Sequence, residues 1–282
     1  MKKSSRPPLR ATRGSRPSRG GFTLIEVLVA TAVFLVLLTL LLSITSHAGK
    51  IWQSSENQKS RREVARAALE MIARDFESTQ FPLRSGSANS LEFARNPAAI
   101  SATYKNRDAL FWQAPLSGPS ESGDLQEVGY FVQWIEVAGQ PPRGELCRLR
   151  VPAANSDSIF NDPDNWLSDD KLKKYAPGST DTNTYHGSLA ENVLALWVTL
   201  YDTNNVPITA SPYSSRSDPQ VASAEIAIAV ADPQTGRRVF STADITSHYD
   251  EPTIDDFVSK LPPDIRQGVG VFKTRLYIES SR

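Results

Sequence analysis

Apolar and polar positions divide the chain into regimes of different period. Residues 1–21 are rich in Arg, Ser, Pro and Gly. Val27 to Ile44 is then an apolar run of 18 residues, with only Thr31, Thr39 and Ser43 as weak polar interruptions. At 1.5 Å per residue such a run spans roughly 27 Å, close to the hydrocarbon thickness of a bilayer. From Ile51 to about Glu77 the period becomes helical and amphipathic. Val64, Ala67, Ala68, Met71, Ile72 and Phe76 form one stripe, and charged residues fill the other face. Lys59–Glu63 and Glu70–Arg74 stand at i,i+4 on that face. There is no Pro, and only Gly49, between Ser43 and Phe81, so the two helices read as one rod with Gly49 as a soft joint. Pro82 closes the element.

Beyond Ser85 the period drops to two. Ser90–Phe93, Ala109–Gln113, Glu127–Val137, Glu145–Val151, Asn192–Tyr201 and Ala224–Ala231 are rich in β-branched and aromatic residues and predict strands. The breakers Gly139, Pro141, Pro142 and Gly144 make Glu127–Val151 a hairpin. In the next strand Val193, Ala195, Trp197, Thr199 and Tyr201 share one face, and Leu194, Leu196, Val198 and Leu200 the other, so both faces are expected to be covered. Polar insertions at 152–188 and 202–220 are long for a compact domain and stand out as candidates for partner contact or mobility. Thr253 with Asp256 predicts a capped short helix ending at Pro262-Pro263. Val269–Glu279 alternates as a half-buried last strand. The expected fold is α+β: a long N-terminal helix on an antiparallel β-sheet head. The expected division is a leader at 1–21, a membrane helix at 22–46, a soluble helix at 47–80 and a head at 81–282.

Charge changes the reading of the N-terminus. The 31 basic and 31 acidic side chains balance over the chain. Residues 1–21, however, hold Lys2, Lys3, Arg6, Arg10, Arg13, Arg16 and Arg19 and no carboxylate, which leaves the remainder acidic. An acidic body is a poor nucleic-acid binder. The basic stretch reads either as a disordered tail or as a cytoplasmic leader, because Lys and Arg beside a membrane segment stay inside. A secretory signal peptide is the competing assignment. The apolar run exceeds its usual core, and no A-x-A-like site follows at Ser46-His47-Ala48-Gly49-Lys50, so a retained, single-pass helix is expected. Glu26 is the anomaly, since a carboxylate at the mouth of a membrane helix costs on the order of 3 kcal/mol unless it is paired or snorkels to the interface. A cut after Gly21 would give Phe22 a positive α-amino group four residues before Glu26. A neighbouring subunit could present the same group.

These residues resemble a known family. Gly21-Phe22-Thr23-Leu24-Ile25-Glu26-Val27 before a long apolar helix is similar to the class III signal of type IV pilins and type II secretion pseudopilins. The resemblance implies cleavage by a prepilin peptidase between Gly21 and Phe22 and N-methylation of Phe22. It also implies a role for Glu26 in filament assembly with other pilin-like subunits. The expected location is the bacterial inner membrane, with the N-terminus cytoplasmic and the head periplasmic or otherwise outside. The order of the body segments, including Gly129-Tyr130-Phe131-Val132 and Glu145-Leu146-Cys147-Arg148, is similar to the J-type minor pseudopilin and to Verru_Chthon cassette protein C.

Enzyme chemistry is sparse. His47, His186 and His248 fall in no metal-binding spacing, and no G-x-S-x-G, P-loop or G-x-G-x-x-G is present. His186 reads as a loop residue, and Cys147, the lone cysteine, as a buried small hydrophobe. The acidic stretch with Asp162, Asp164, Asp169 and Asp170 reads as a solvated turn, with calcium binding as the sharper alternative. Trp112, Trp134 and Trp197 fall in strands and read as core; Trp166 falls in a loop. No catalytic residue, metal or cofactor is expected. The predicted function is a structural, minor pseudopilin-type subunit. The alternative is a binding module for DNA or polysaccharide, displayed at a filament tip or on the membrane.

Overall fold

A single helix, α1, runs from Leu24 to Glu77. The apolar and amphipathic stretches are thus one element, continuous through Gly49. The computed structural model describes residues 23–77, 92–104, 106–114, 126–151, 167, 172, 186–239 and 241–278. By internal contacts the chain divides after Ser54. In the second unit α1 buries Ala65, Ala68, Leu69, Ile72 and Phe76. This stripe is rotated from the expected one: Ala67 is exposed and Met71 half-buried. The cause is Asp75, a buried carboxylate that apolar spacing alone passes over. On the exposed face Lys59 pairs with Glu63, but Glu70 turns back to Arg66, 2.6 Å away, rather than forward to Arg74.

The expected strands form two antiparallel sheets, except that in place of Ser90–Phe93 the first strand starts at Phe93, residues 90 and 91 lying outside the described residues. The first has the order β5-β4-β3-β2-β1-β8. Its members are β1 (Phe93–Arg95), β2 (Ala109–Ala114), β3 (Gln126–Ile135), β4 (Arg143–Val151), β5 (His186–Glu191) and β8 (Tyr213–Ser214). The second has the order β10-β9-β6-β7. It contains β6 (Val193–Tyr201), β7 (Pro207–Ile208), β9 (Ser223–Ala231) and β10 (Val269–Tyr277). The hairpin β3–β4 pairs Glu127 with Val151 and Ile135 with Arg143, around the expected turn. Strands β5, β7 and β8 lie in stretches whose polar composition hides them. Tyr213, in the second insertion, is buried in the main core.

Three apolar clusters explain why β2 is buried along its whole length and β9 nearly so. The main one joins the α1 stripe to Trp112, Tyr130, Leu196, Val198 and Ile228 from both sheets. After the short α2 (Pro233–Gly236), a second covers the opposite face of the second sheet with Ile245 of α3 (Ala243–Thr246), Phe257 of α4 (Ile254–Lys260) and Ile265 of α5 (Pro263–Arg266). A third covers the opposite face of the first sheet with Ile100, Leu167 and Leu172. Both faces of β6 are covered, as its pattern predicts. Its faces differ from strict alternation, because a bulge between Val193 and Ala195 leaves Leu194 unpaired. Val193 therefore joins the main core, and Leu194 joins Trp197 in the second. The expected helix at Thr253 is α4, with the Thr253 hydroxyl accepting from the Asp256 N–H at 3.1 Å. Beyond Leu261, Pro263 does not simply end the helical region but opens the single turn of α5.

Candidate functional site

Thr23 opens α1. Its carbonyl accepts from the N–H groups of Glu26 (3.0 Å) and Val27 (3.2 Å), and its hydroxyl lies 3.3 Å from the Glu26 N–H. This is an N-cap, which satisfies amides that a helix start leaves without intrahelical partners. Thr23-Leu24-Ile25-Glu26 has the spacing of a capping box. Its glutamate falls in the first turn, where the helix dipole favours negative charge. The Glu26 side chain is exposed and makes no hydrogen bond or ion pair among the described residues. Sequence reading picked out Glu26 for its charge but missed Thr23, although the T-x-x-E spacing is the signal that finds it. Gly21 and Phe22 lie outside the described residues.

The helix that follows exposes its apolar side chains, among them Leu28 at 60%, Phe34 at 63% and Leu41 at 64%. Contiguous apolar surface of this extent is what a bilayer or partner helices cover. Among the described residues α1 is the one helix long and apolar enough to cross a membrane. Two of the three polar interruptions, Thr31 and Thr39, and Thr45 just beyond the run are satisfied locally. Thr31 donates to the Leu28 carbonyl at 2.9 Å, Thr39 to Val36 at 2.8 Å and Thr45 to Leu41 at 2.7 Å. A hydroxyl bonded to its own helix has its donor matched in an apolar medium.

In the head, Asp75 joins α1 to the first sheet. Arg148 grips its carboxylate at both oxygens, with Nε at 2.7 Å and an Nη at 2.9 Å, and the Tyr130 hydroxyl donates to it at 2.5 Å. Burial pushes the Tyr130 pKa well up, and its hydrogen bond to the negative Asp75 adds to this. Burial opposes the Arg148 charge, but hydrogen bonding and attraction to Asp75 and Tyr130 outweigh it and raise its pKa. A bidentate pair held in this way fixes the rotation of the helix. Between the sheets, Asp108 accepts from the Val198 N–H at 2.8 Å, and Arg95 donates to the Val198 carbonyl at 2.9 Å. Burial lowers the Arg95 pKa. These groups fasten the outer edge of β6.

None of this forms a catalytic constellation. His186 begins β5 rather than lying in a loop, and is buried with its ring 5.5 Å from that of Phe131. Cys147 is buried, as expected of a small hydrophobe. Trp112 and Trp197 are core, and half-buried Trp134 bonds Tyr249 through its ring nitrogen at 3.1 Å. Among the described residues no group of three or more His, Cys, Asp or Glu side chains could hold a metal. Asp162, Asp164, Asp169, Asp170 and Trp166 lie outside the described residues.

Residues 16–42 match the family model for the prokaryotic N-terminal methylation motif. No curated protein and no solved structure matches the chain. The matched stretch contains the basic approach, the Gly21–Phe22 junction, capped Glu26 and most of the exposed apolar run. The motif points to a structural, membrane-anchored subunit that a prepilin peptidase processes. The chain therefore carries, over residues 16–42, a prepilin-type N-terminal methylation signal.

Proposed function

We propose that the protein is a minor pseudopilin-type subunit of a filament of the type II secretion or type IV pilus class. The peptidase cuts between Gly21 and Phe22, and Phe22 becomes the methylated N-terminus. The basic leader holds residues 1–21 in the cytoplasm, so the head lies on the other side of the inner membrane. The single observation that carries this reading is Glu26, exposed and without a described partner in the first turn of a helix whose apolar side chains are themselves exposed. In an apolar bundle that carboxylate needs a cation, and the α-amino group of a neighbouring processed subunit supplies one. The fold supports a polymer role, because α1 joins an apolar segment to a folded head in one helix. Glu26→Ala tests the pairing. The variant should be processed and reach the membrane, yet be lost from filaments purified from cells. Incorporation at the wild-type level would refute the role assigned to Glu26.

A further inference from the structure

The two outer edges of the second sheet are treated differently. Along β6, beyond its short pairing with β7, Asp108 and Arg95 take up the Val198 amide and carbonyl, and Arg107 bridges to Leu196. The opposite edge, β10, is nine residues long and has no such cover among the described residues. Asp232 donates to the Gly268 carbonyl and Ile278 donates to the Ala222 carbonyl, and the pairing between them is unbroken. Even-numbered residues of β10 therefore exchange hydrogen bonds with β9. The amides and carbonyls of Val271, Lys273, Arg275 and Tyr277 point outward. Proteins ordinarily blunt a long open edge of this kind, because it is a template for another strand.

An open groove of about 680 Å³ runs between this edge and α1. Leu69, Ala73 and Phe272 give it an apolar side, and Arg62 and Arg66, with Glu70 beside them, a charged rim; Lys273 borders it too, but its ammonium is turned to Asp255 of α4 on the opposite face of the sheet. Arg66 is paired with Glu70 and Lys273 with Asp255, whereas Arg62 has no ion pair among the described residues. Arg275, on the same strand, bonds only the neutral side chains of Ser223 and Asn205. Edge-to-edge pairing of two copies would bring these cations together, and like charges across a strand pair are destabilising. A strand carrying carboxylates meets the same groups favourably.

We propose that β10 is a docking edge for an extended, acidic segment of another polypeptide, which adds as a strand to the second sheet. Its apolar side chains face Leu69 and Ala73, and its carboxylates face Lys273 and Arg275. Main-chain hydrogen bonds supply the attachment and the alternating side chains its selectivity. The test uses the full chain in detergent micelles and a fluorescent peptide of four Val-Glu repeats. Binding should saturate and slow hydrogen exchange at the amides of Val271, Lys273 and Arg275 by at least about tenfold. The same peptide with alternate amides methylated, and a Val-Lys repeat, should bind at least tenfold more weakly. Lys273→Pro removes an outward N–H that β9 does not use, and should abolish binding with the melting transition retained, whereas Lys273→Ala, which keeps the N–H and loses only the charge, should weaken binding without abolishing it. Should Lys273→Pro fail to fold, the methylated peptide on the native chain still decides. Equal binding of the methylated peptide, no protection of these amides by the Val-Glu peptide, or their protection by self-association alone would overturn the proposal.

Discussion

Asp75 is the residue on which the head's packing turns most sharply. It breaks the apolar pattern of α1, so period alone places the buried stripe one position away, on Ala67 and Met71. Its role becomes visible only when Arg148 and Tyr130, more than fifty residues distant, are brought to it. Glu26 is the opposite case, because its charge stands out in an apolar run and needs no partner to be noticed. Removing one member of a buried ion pair leaves the other uncompensated at a cost of about 3–5 kcal/mol. Arg148 keeps a quarter of its side chain exposed, so the lower end applies. Asp75→Asn should therefore destabilise the head by about 3 kcal/mol, read from denaturant midpoints. The double variant Asp75→Leu with Arg148→Met should recover much of that loss. A loss below about 1 kcal/mol in Asp75→Asn would mean that the pair holds nothing in place.

Among the elements, α1 and the long strands were legible because each keeps one period over many residues. The hairpin β3–β4, the partners β6 and β9, and the last strand all follow from alternation and turn chemistry. Strands β5, β7 and β8 did not, since their two to six residues are polar or lie among Pro, Ser and Asn, and neighbouring strands recruit them. The Leu194 bulge is equally silent in sequence, because either face assignment buries apolar side chains. Gly49 gives α1 a specific prediction. A Cβ there meets nothing within 4 Å, so Gly49→Ala loses no packing and gains about 0.5–1 kcal/mol of helix stability. Hydrogen exchange at residues around 49 should slow several-fold. Unchanged exchange would show that the glycine is not a weak point of the helix.

For the whole molecule, buried tyrosines set the response to alkali. Burial pushes the hydroxyls of Tyr130, Tyr213 and Tyr249 above their ordinary range. In the unfolded chain a tyrosine ionises near pH 10, about where the folded chain still holds these protons. Their contribution is intact below that pH and is lost as pH rises through the folded values, because the unfolded state then binds fewer protons. Denaturant midpoints should fall steeply above pH 10, and Tyr130→Phe should make that fall shallower; an unchanged slope would exclude Tyr130 as a contributor. The N-terminal methylation motif was legible because it is a linear pattern over contiguous residues, although the cap that Thr23 forms was passed over. The head is built from long-range pairings, and what it docks is not written in any one stretch. The processed N-terminus is the most direct test of the account. Intact-mass measurement of the membrane-extracted protein from its native cell should give the mass of residues 22–282 plus one methyl group, with the methyl on Phe22 by fragmentation. A chain still carrying residues 1–21, or cut at another bond, would contradict the assignment.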